Sequence, residues 1–209
     1  MPCRVLIVDD QNVPRQFFET IIASSDRYQL AASIDTAKVA DAWCAGGGVD
    51  LVLMDVVMSD GSNGLEAAAR IKQSYPRVKI IIVTSLPDAL FLKRARETGV
   101  DSFWYKEVQA LPMLEVMDRT MAGEHIFPDA PPVGRLGFAK STELTERELE
   151  ILRLLAGGLT DREIAEEACL SVTTVRYHIG NLIGKTGMNS RTELAVNAVL
   201  SGITTPGIK

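Results

Sequence analysis

The sequence predicts an α/β protein: a five-stranded, doubly wound parallel sheet joined by a linker to a small all-helical unit. Three observations predict it. Short apolar runs alternate with helical patterns five times before residue 122, the order that a mostly parallel sheet requires. Periodicity then stops from Gly123 to Ser141, a stretch that holds Pro128, Pro131, Pro132, Gly134 and Gly137. Beyond it, residues 142–209 carry helix start and stop signals and no strand pattern.

In chain order, Arg4 to Val8 is a strand, with Asp9 and Asp10 at its end. From Asn12 to Ser24 the pattern is helical, with Phe17, Phe18, Ile21 and Ile22 on one side and Pro14 in the first turn, where its missing N–H loses nothing. Tyr28 to Ile34 is a second strand, and Thr36 to Ala45 a helix stopped by Gly46-Gly47-Gly48. Leu51-Val-Leu-Met54 then runs into a single carboxylate, Asp55, and a helix follows from Gly64 to Ser74. Val78 to Val83 is the most hydrophobic strand; its β-branched density suits a central position buried on both faces, and it ends at Thr84. A helix from Asp88 to Thr98, a strand from Val100 to Tyr105 followed by Lys106, and a helix from Val108 to Met121 complete the first domain, residues 1–122.

After the linker, residues 123–141, the second domain spans 142–209. Thr145-Glu-Arg-Glu148 and Thr160-Asp-Arg-Glu163 are capping boxes, each opening a helix. A tight break falls at Cys169-Leu170, Ser171 caps a helix from Val172 to Ile183, and Ser190-Arg-Thr-Glu193 opens the last helix, to about Leu200. Four short helices with a tight break before the third suggest a helix-turn-helix.

Composition is that of a globular protein, 46% apolar, and the net charge of −5 points to nucleic acid only where basic residues gather locally. Cys3, Cys44 and Cys169 are far apart and lack zinc spacing, so they read as reduced thiols. No apolar run approaches a membrane span, and the N-terminus enters a strand without a signal-peptide pattern, which predicts a cytoplasmic location.

Right-handed crossovers place helices on both faces, and because the strands are parallel their carboxyl ends lie along one edge, where open α/β sheets bind ligands. That edge carries Asp9, Asp10, Asp55, Thr84 and Lys106. Asp55 alone would read as a loop cap; the four other polar groups change that. Three acids offer the hard oxygen ligands that magnesium prefers. Asp55 is then a nucleophile towards phosphorus, Lys106 pairs with the transferred phosphoryl group, and Thr84 donates a hydrogen bond to it.

In the second domain, Val172, Val175, Ile179, Leu182 and Ile183 share the inward side of one helix, while Thr173, Thr174, Tyr177 and Asn181 face away, with Arg176 on the flank. Such a helix is ordinarily just a solvated amphipathic one. Here Arg176, Lys185 and Arg191 occur with no acid between Leu170 and Thr192, the local positive charge that phosphate contact requires.

Asp9-Asp10, Leu-Met-Asp55, Val-Thr84-Ser and Tyr-Lys106 at these intervals resemble the receiver domain of bacterial two-component response regulators, a flavodoxin-like sheet. Leu144-Thr-Glu-Arg-Glu-Leu, Asp161-Arg-Glu-Ile-Ala, Ser171-Val-Thr-Thr-Val-Arg-Tyr-His and Lys185-Thr-Gly-Met-Asn-Ser-Arg-Thr resemble the LuxR-type helix-turn-helix domain. Together, in this order, they resemble the NarL/FixJ class of transcription regulators.

The resemblance implies that Asp55 is the phosphoacceptor of a partner histidine kinase, with no catalytic turnover of its own. It implies that Asp10, Asp55 and the Val57 carbonyl bind Mg2+, with Asp9 acting mainly through water. It makes Thr84 and Phe103 the switch pair, although Phe103 equally suits plain core packing. On DNA, Thr173, Thr174, Lys185 and Arg191 would hold phosphates, Arg176, Tyr177 and Asn181 would reach towards bases, and a homodimer would meet two half-sites.

The chain departs from the family at two places. Met58 is followed by Ser59 rather than proline, and Gly64 stands nine residues after Asp55, one more than usual. Gly180 sits inside the recognition helix, where glycine costs roughly 1 kcal/mol. The loop after Asp55 leaves an alternative, a phosphorylation-independent transcription factor whose receiver serves dimerisation or ligand sensing. A metal-dependent phosphatase on a similar sheet is disfavoured, because Val57 occupies the place of its general acid.

Overall fold

The computed structural model describes residues 1–106 and 111–204 and divides into two compact units, one of Met1–Ser85 with Ala89–Pro131 and one of Leu86–Asp88 with Pro132–Lys209. In the first unit, β1 (Cys3–Val8), β2 (Tyr28–Ile34), β3 (Leu51–Met54), β4 (Lys79–Thr84) and β5 (Ser102–Tyr105) form one sheet in the order β2-β1-β3-β4-β5. Every pairing in it is parallel. The helices are α1 (Asn12–Ala23), α2 (Ala40–Ala45), α3 (Gly64–Ser74), α4 (Ala89–Thr98) and α5 (Met113–Met121). This is the five-stranded parallel sheet with helices that the alternation predicts.

Burial follows from strand order. All of β3 and the last five residues of β4 are buried, as expected of strands covered on both faces, whereas the edge strand β2 exposes Gln29 and Leu30. One face of the sheet presents Val5, Ile7, Leu51, Leu53, Ile81 and Val83 to Phe18 and Ile22 of α1 and Val116 and Met117 of α5. The expected helix from Thr36 begins as a 3-10 turn, Ala37–Val39, capped by the Thr36 hydroxyl, before α2. Of the expected helix from Val108, the first residues, 108–110, lie outside the described residues.

The stretch 123–141 carries structure of its own. Ile126 makes a parallel bridge to Ser102, and its carbonyl accepts from the Phe103 N–H at 2.8 Å, so the chain returns beside β5. Further on, β6 (Arg135–Leu136) and β7 (Ala139–Lys140) form a two-stranded antiparallel hairpin whose Leu136 and Ala139 join the core of the second unit. Gly137 turns it with φ +58°, and a Cβ there would lie 2.0 Å from the Thr186 carbonyl. Two-residue strands are too short for alternation to register in a sequence.

The second unit otherwise consists of α6 (Glu146–Ala156), α7 (Asp161–Glu167), α8 (Val172–Thr186) and α9 (Arg191–Leu200). Thr145 with Glu148 and Thr160 with Glu163 form complete capping boxes, and Ser171 and Ser190 cap α8 and α9. At the break between α7 and α8, Cys169 takes φ 52°, the one positive value at a non-glycine among the described residues. The core gathers Ile151, Leu152, Ile164, Val175, Ile179, Leu182 and Leu194. No described helix is long and apolar enough to cross a membrane.

Candidate functional site

Parallel register builds the first site. Val8 pairs with Met54, so β1 and β3 end together and Asp9 and Asp55 emerge side by side. The Asp55 N–H donates to the Val8 carbonyl at 2.8 Å, which fixes where its side chain leaves the sheet. On the other side of β3, β4 ends at Thr84, and the Lys106 N–H donates to the Thr84 carbonyl at 2.9 Å. α3 packs close behind: a Cβ on Gly64 would lie 1.7 Å from the Asp55 carbonyl oxygen, so only glycine fits there.

Lys106 Nζ sits between two acids, 2.8 Å from Asp9 Oδ2 and 3.0 Å from Asp55 Oδ2. Asp55 Oδ1 accepts from the Val56 N–H at 2.7 Å, and Asp9 Oδ1 from the Gln11 N–H at 3.0 Å. Asp10 Oδ2 accepts from the Ser59 N–H at 2.7 Å, while its Oδ1 is buried without a hydrogen-bond partner. Asp9, Asp10 and Asp55 each offer an oxygen, all within 4.8 Å of one another. Three carboxylates, one with a buried unpartnered oxygen, are a donor set that fits a hard divalent cation such as Mg2+.

Burial pushes the Asp55 carboxyl up to about 6; Lys106 opposes the shift, and the Asp9 charge adds to it. Lys106 is itself buried, which disfavours its charge, but Asp55 and Asp9 outweigh that and hold the ammonium above its ordinary range. Phe103 is buried in the sheet with an edge contact to Tyr105, ring centroids 4.9 Å apart. Val57 bridges to Asn63 across the loop that follows Asp55.

The second site is the outer side of α8. Val175, Ile179 and Leu182 are buried, and Val172 and Ile183 pack partly against the same core. Thr173, Arg176 and Tyr177 are exposed, Tyr177 by 65%, and Asn181 is half-buried. Thr174 shares a hydrogen bond with the capping Ser171, hydroxyl to hydroxyl at 2.8 Å. The three cations singled out for DNA all meet acids from earlier helices. Asp161 receives Arg176 Nε at 3.0 Å on one oxygen and Arg191 Nη1 at 2.6 Å on the other. Lys185 Nζ pairs with Glu148 at 2.7 Å and with the Glu143 carbonyl at 3.0 Å. Glu148 is buried, which opposes its charge, yet hydrogen bonds from Lys185 and Thr145 hold its carboxyl below the usual range. Asp161 and Glu148 were visible in the sequence only as parts of helix starts.

The receiver family model of response regulators matches residues 5–118, and the model of bacterial regulatory proteins of the LuxR family matches residues 142–198. Response regulator protein VraR of Staphylococcus aureus strain Mu3 is 32% identical over 203 residues, 95% of this chain and 97% of its own length. A crystal structure of a LuxR-family DNA-binding response regulator from Staphylococcus aureus is 25% identical, covering 57% of this chain and 98% of its own, with a TM-score of 0.53. In fold alone, RcsB of Salmonella enterica serovar Typhimurium, bound to a promoter in the presence of the phosphomimetic BeF3−, covers 98% of this chain and 100% of its own at 16% identity and a TM-score of 0.62.

Proposed function

The chain belongs to the two-component response regulators with a LuxR-type DNA-binding domain, and on that premise we propose that Asp55 accepts a phosphoryl group from a sensor histidine kinase and thereby controls sequence-specific DNA binding and transcription. The supporting observation is one ammonium, Lys106, shared between Asp9 and Asp55 beside an Asp10 oxygen buried without a donor.

In this reading Asp10, Asp55 and the Val57 carbonyl would hold Mg2+, and Asp9 would contribute mainly through water. The cation, when bound, neutralises the acids and draws charge from the phosphoryl oxygens. An Asp55 carboxylate oxygen bonds to phosphorus as the phosphorus–nitrogen bond of the kinase phosphohistidine breaks, and the imidazole keeps the electron pair. Burial raises the Asp55 carboxyl, and the Lys106 ammonium beside it opposes that shift and favours the ionised nucleophile. Lys106 turns from the carboxylates to a phosphoryl oxygen, Thr84 donates to another, and Phe103 follows Thr84 as the switch. Asp55 is consumed once per transfer, so the protein is a stoichiometric acceptor rather than an enzyme.

At the output end, α8 enters the major groove of DNA. Arg176, Tyr177 and Asn181 reach towards base edges, while Thr173, Thr174, Lys185 and Arg191 contact phosphates. A cytoplasmic homodimer places two such helices on two half-sites.

Intact-mass spectrometry after incubation with acetyl phosphate and magnesium tests the acceptor. A single phosphate adduct on the wild type, absent from Asp55→Asn, is expected. A folded wild type that takes no adduct overturns the reading in favour of a phosphorylation-independent regulator.

A further inference from the structure

The loop after Asp55 is one residue longer than the family pattern and lacks its proline, so that restraint on its course is absent. The structure supplies a tether from elsewhere. Asp60 Oδ1 accepts from the Ser62 N–H at 2.8 Å and the Ser62 hydroxyl at 2.6 Å. Its Oδ2 accepts from the Thr36 hydroxyl at 2.7 Å and pairs with Lys38 Nζ at 3.1 Å. Ser62 Oγ in turn accepts from the Ala37 N–H at 3.1 Å. One carboxylate thereby ties the β3–α3 loop to the β2–α2 loop.

The tie has a consequence at the acidic edge. Between Met58 and Ser62 the chain makes a tight turn, closed by the Gly61 N–H on the Met58 carbonyl at 3.1 Å and by the Met58 N–H on the Ser62 carbonyl at 3.3 Å. Ser59 stands in that turn, and its N–H holds Asp10 Oδ2. The other oxygen of Asp10 is the buried one without a partner. An open pocket of about 420 Å³ lies beside these groups, lined by Asp10, Thr36, Lys38, Ser59 and Asp60 among others.

We propose that Asp60 is a positioning residue for the cation and phosphoryl site: through the Ser59–Asp60–Gly61 turn it orients Asp10, and it does what proline does in relatives. The proposal rests on the reading of Asp10 and Asp55 given above. Asp60 does not touch the reacting atoms. It acts by keeping the Ser59 N–H on Asp10, so that the carboxylate meets the cation already turned. A side chain that merely tidied an exposed loop would affect neither cation affinity nor the dependence of phosphorylation on cation concentration.

The test uses the full chain as wild type, Asp60→Ala, Asp60→Asn and Thr36→Val. Mg2+ affinity is measured by titration calorimetry with magnesium chloride, and phosphorylation by acetyl phosphate is followed by intact mass across a magnesium series. Asp60→Ala is expected to weaken Mg2+ binding about tenfold, the lower end for loss of a group supporting a metal ligand. Its phosphorylation should slow at low magnesium and recover at saturating magnesium, because the nucleophile itself is untouched. Asp60→Asn keeps an oxygen for Ser62 and should retain most of the affinity; Thr36→Val, which loses one donor, should fall between. Equal Mg2+ affinity and an equal magnesium series in wild type, Asp60→Ala and Thr36→Val overturn the proposal while leaving Asp55 as acceptor. A wild type that binds no Mg2+ and gains no phosphate overturns the premise together with it.

Discussion

Two buried carboxylates stand at opposite ends of the same parallel sheet, Asp101 just before β5 and Asp55 just after β3. Asp101 is surrounded by donors: Lys72 Nζ at 2.5 Å, Lys79 Nζ at 2.8 Å and the Ile80 N–H at 2.9 Å. Its burial opposes ionisation, but these bonds win and hold its carboxyl below the ordinary range. Asp55 is also hidden from solvent but set deeper in the protein, and it shares its one ammonium with Asp9; there burial wins, raising its carboxyl to about 6. The same residue type in the same sheet is therefore fully satisfied at one end and left short of positive charge at the other. A satisfied buried charge serves the fold, whereas a deficit of cations is an opening for a ligand.

The comparison breaks most visibly at Asp101. Asp101→Ala removes the carboxylate shared by Lys72 and Lys79, leaving Lys72 only the Val78 carbonyl, and is expected to cost about 3 kcal/mol in urea unfolding of the first unit. Acceptance of phosphate from acetyl phosphate should persist at temperatures where the variant stays folded. A cost under about 1 kcal/mol would mean that the cluster is not structural and the two ends do not differ as described.

Asp55→Asn should act in the opposite direction. The Asp55 carboxyl is raised in the fold from 3.8 to about 6, so its contribution to stability is full below 3.8 and is lost as pH rises through 6. The loss amounts to at most roughly 3 kcal/mol, from about 1.4 kcal/mol per pH unit. In magnesium-free buffer at pH 8, Asp55→Asn is therefore expected to be more stable than wild type, with the gain vanishing near pH 4. Asp101, depressed in the fold, contributes above its ordinary value and loses that contribution as pH falls, so its removal flattens the acid side of the profile instead. Unfolding curves across pH read both signs.

The second unit extends the comparison with Glu148, a buried acid of the satisfied kind. Lys185→Met removes its cation and is expected to cost about 1–3 kcal/mol of folding stability, besides any effect on DNA affinity. If calorimetric melting is unchanged and only DNA binding weakens, Lys185 is a free phosphate contact and the Glu148 pair carries no stability. The smallest effect belongs at a position with nothing to satisfy. Gly180 is exposed and a Cβ there would meet nothing within 4 Å, so Gly180→Ala should stabilise α8 by roughly 0.5–1 kcal/mol. Destabilisation there would show that the helix needs its glycine.

Much of this was readable from local pattern. Strand and helix alternation, the apolar runs ending at Asp9, Asp55 and Thr84, and the capping boxes at Thr145 and Thr160 depend on residues a few positions apart, and such spacings determine local structure almost by themselves. The shared orientation of the parallel strands then suffices to bring Asp9, Asp55, Thr84 and Lys106 to one edge. What only the tertiary structure decided is which charge meets which. Lys106 reaches Asp9 across 97 positions, Asp60 reaches Thr36 across 24, and Arg191 reaches Asp161 across 30. The count of local charge around α8 missed Asp161 and Glu148 for this reason: electrostatic partners are chosen by distance in space, and a linear window does not contain them. The alternation of the chain determined where the acids stand, and packing determined which of them were left wanting a cation.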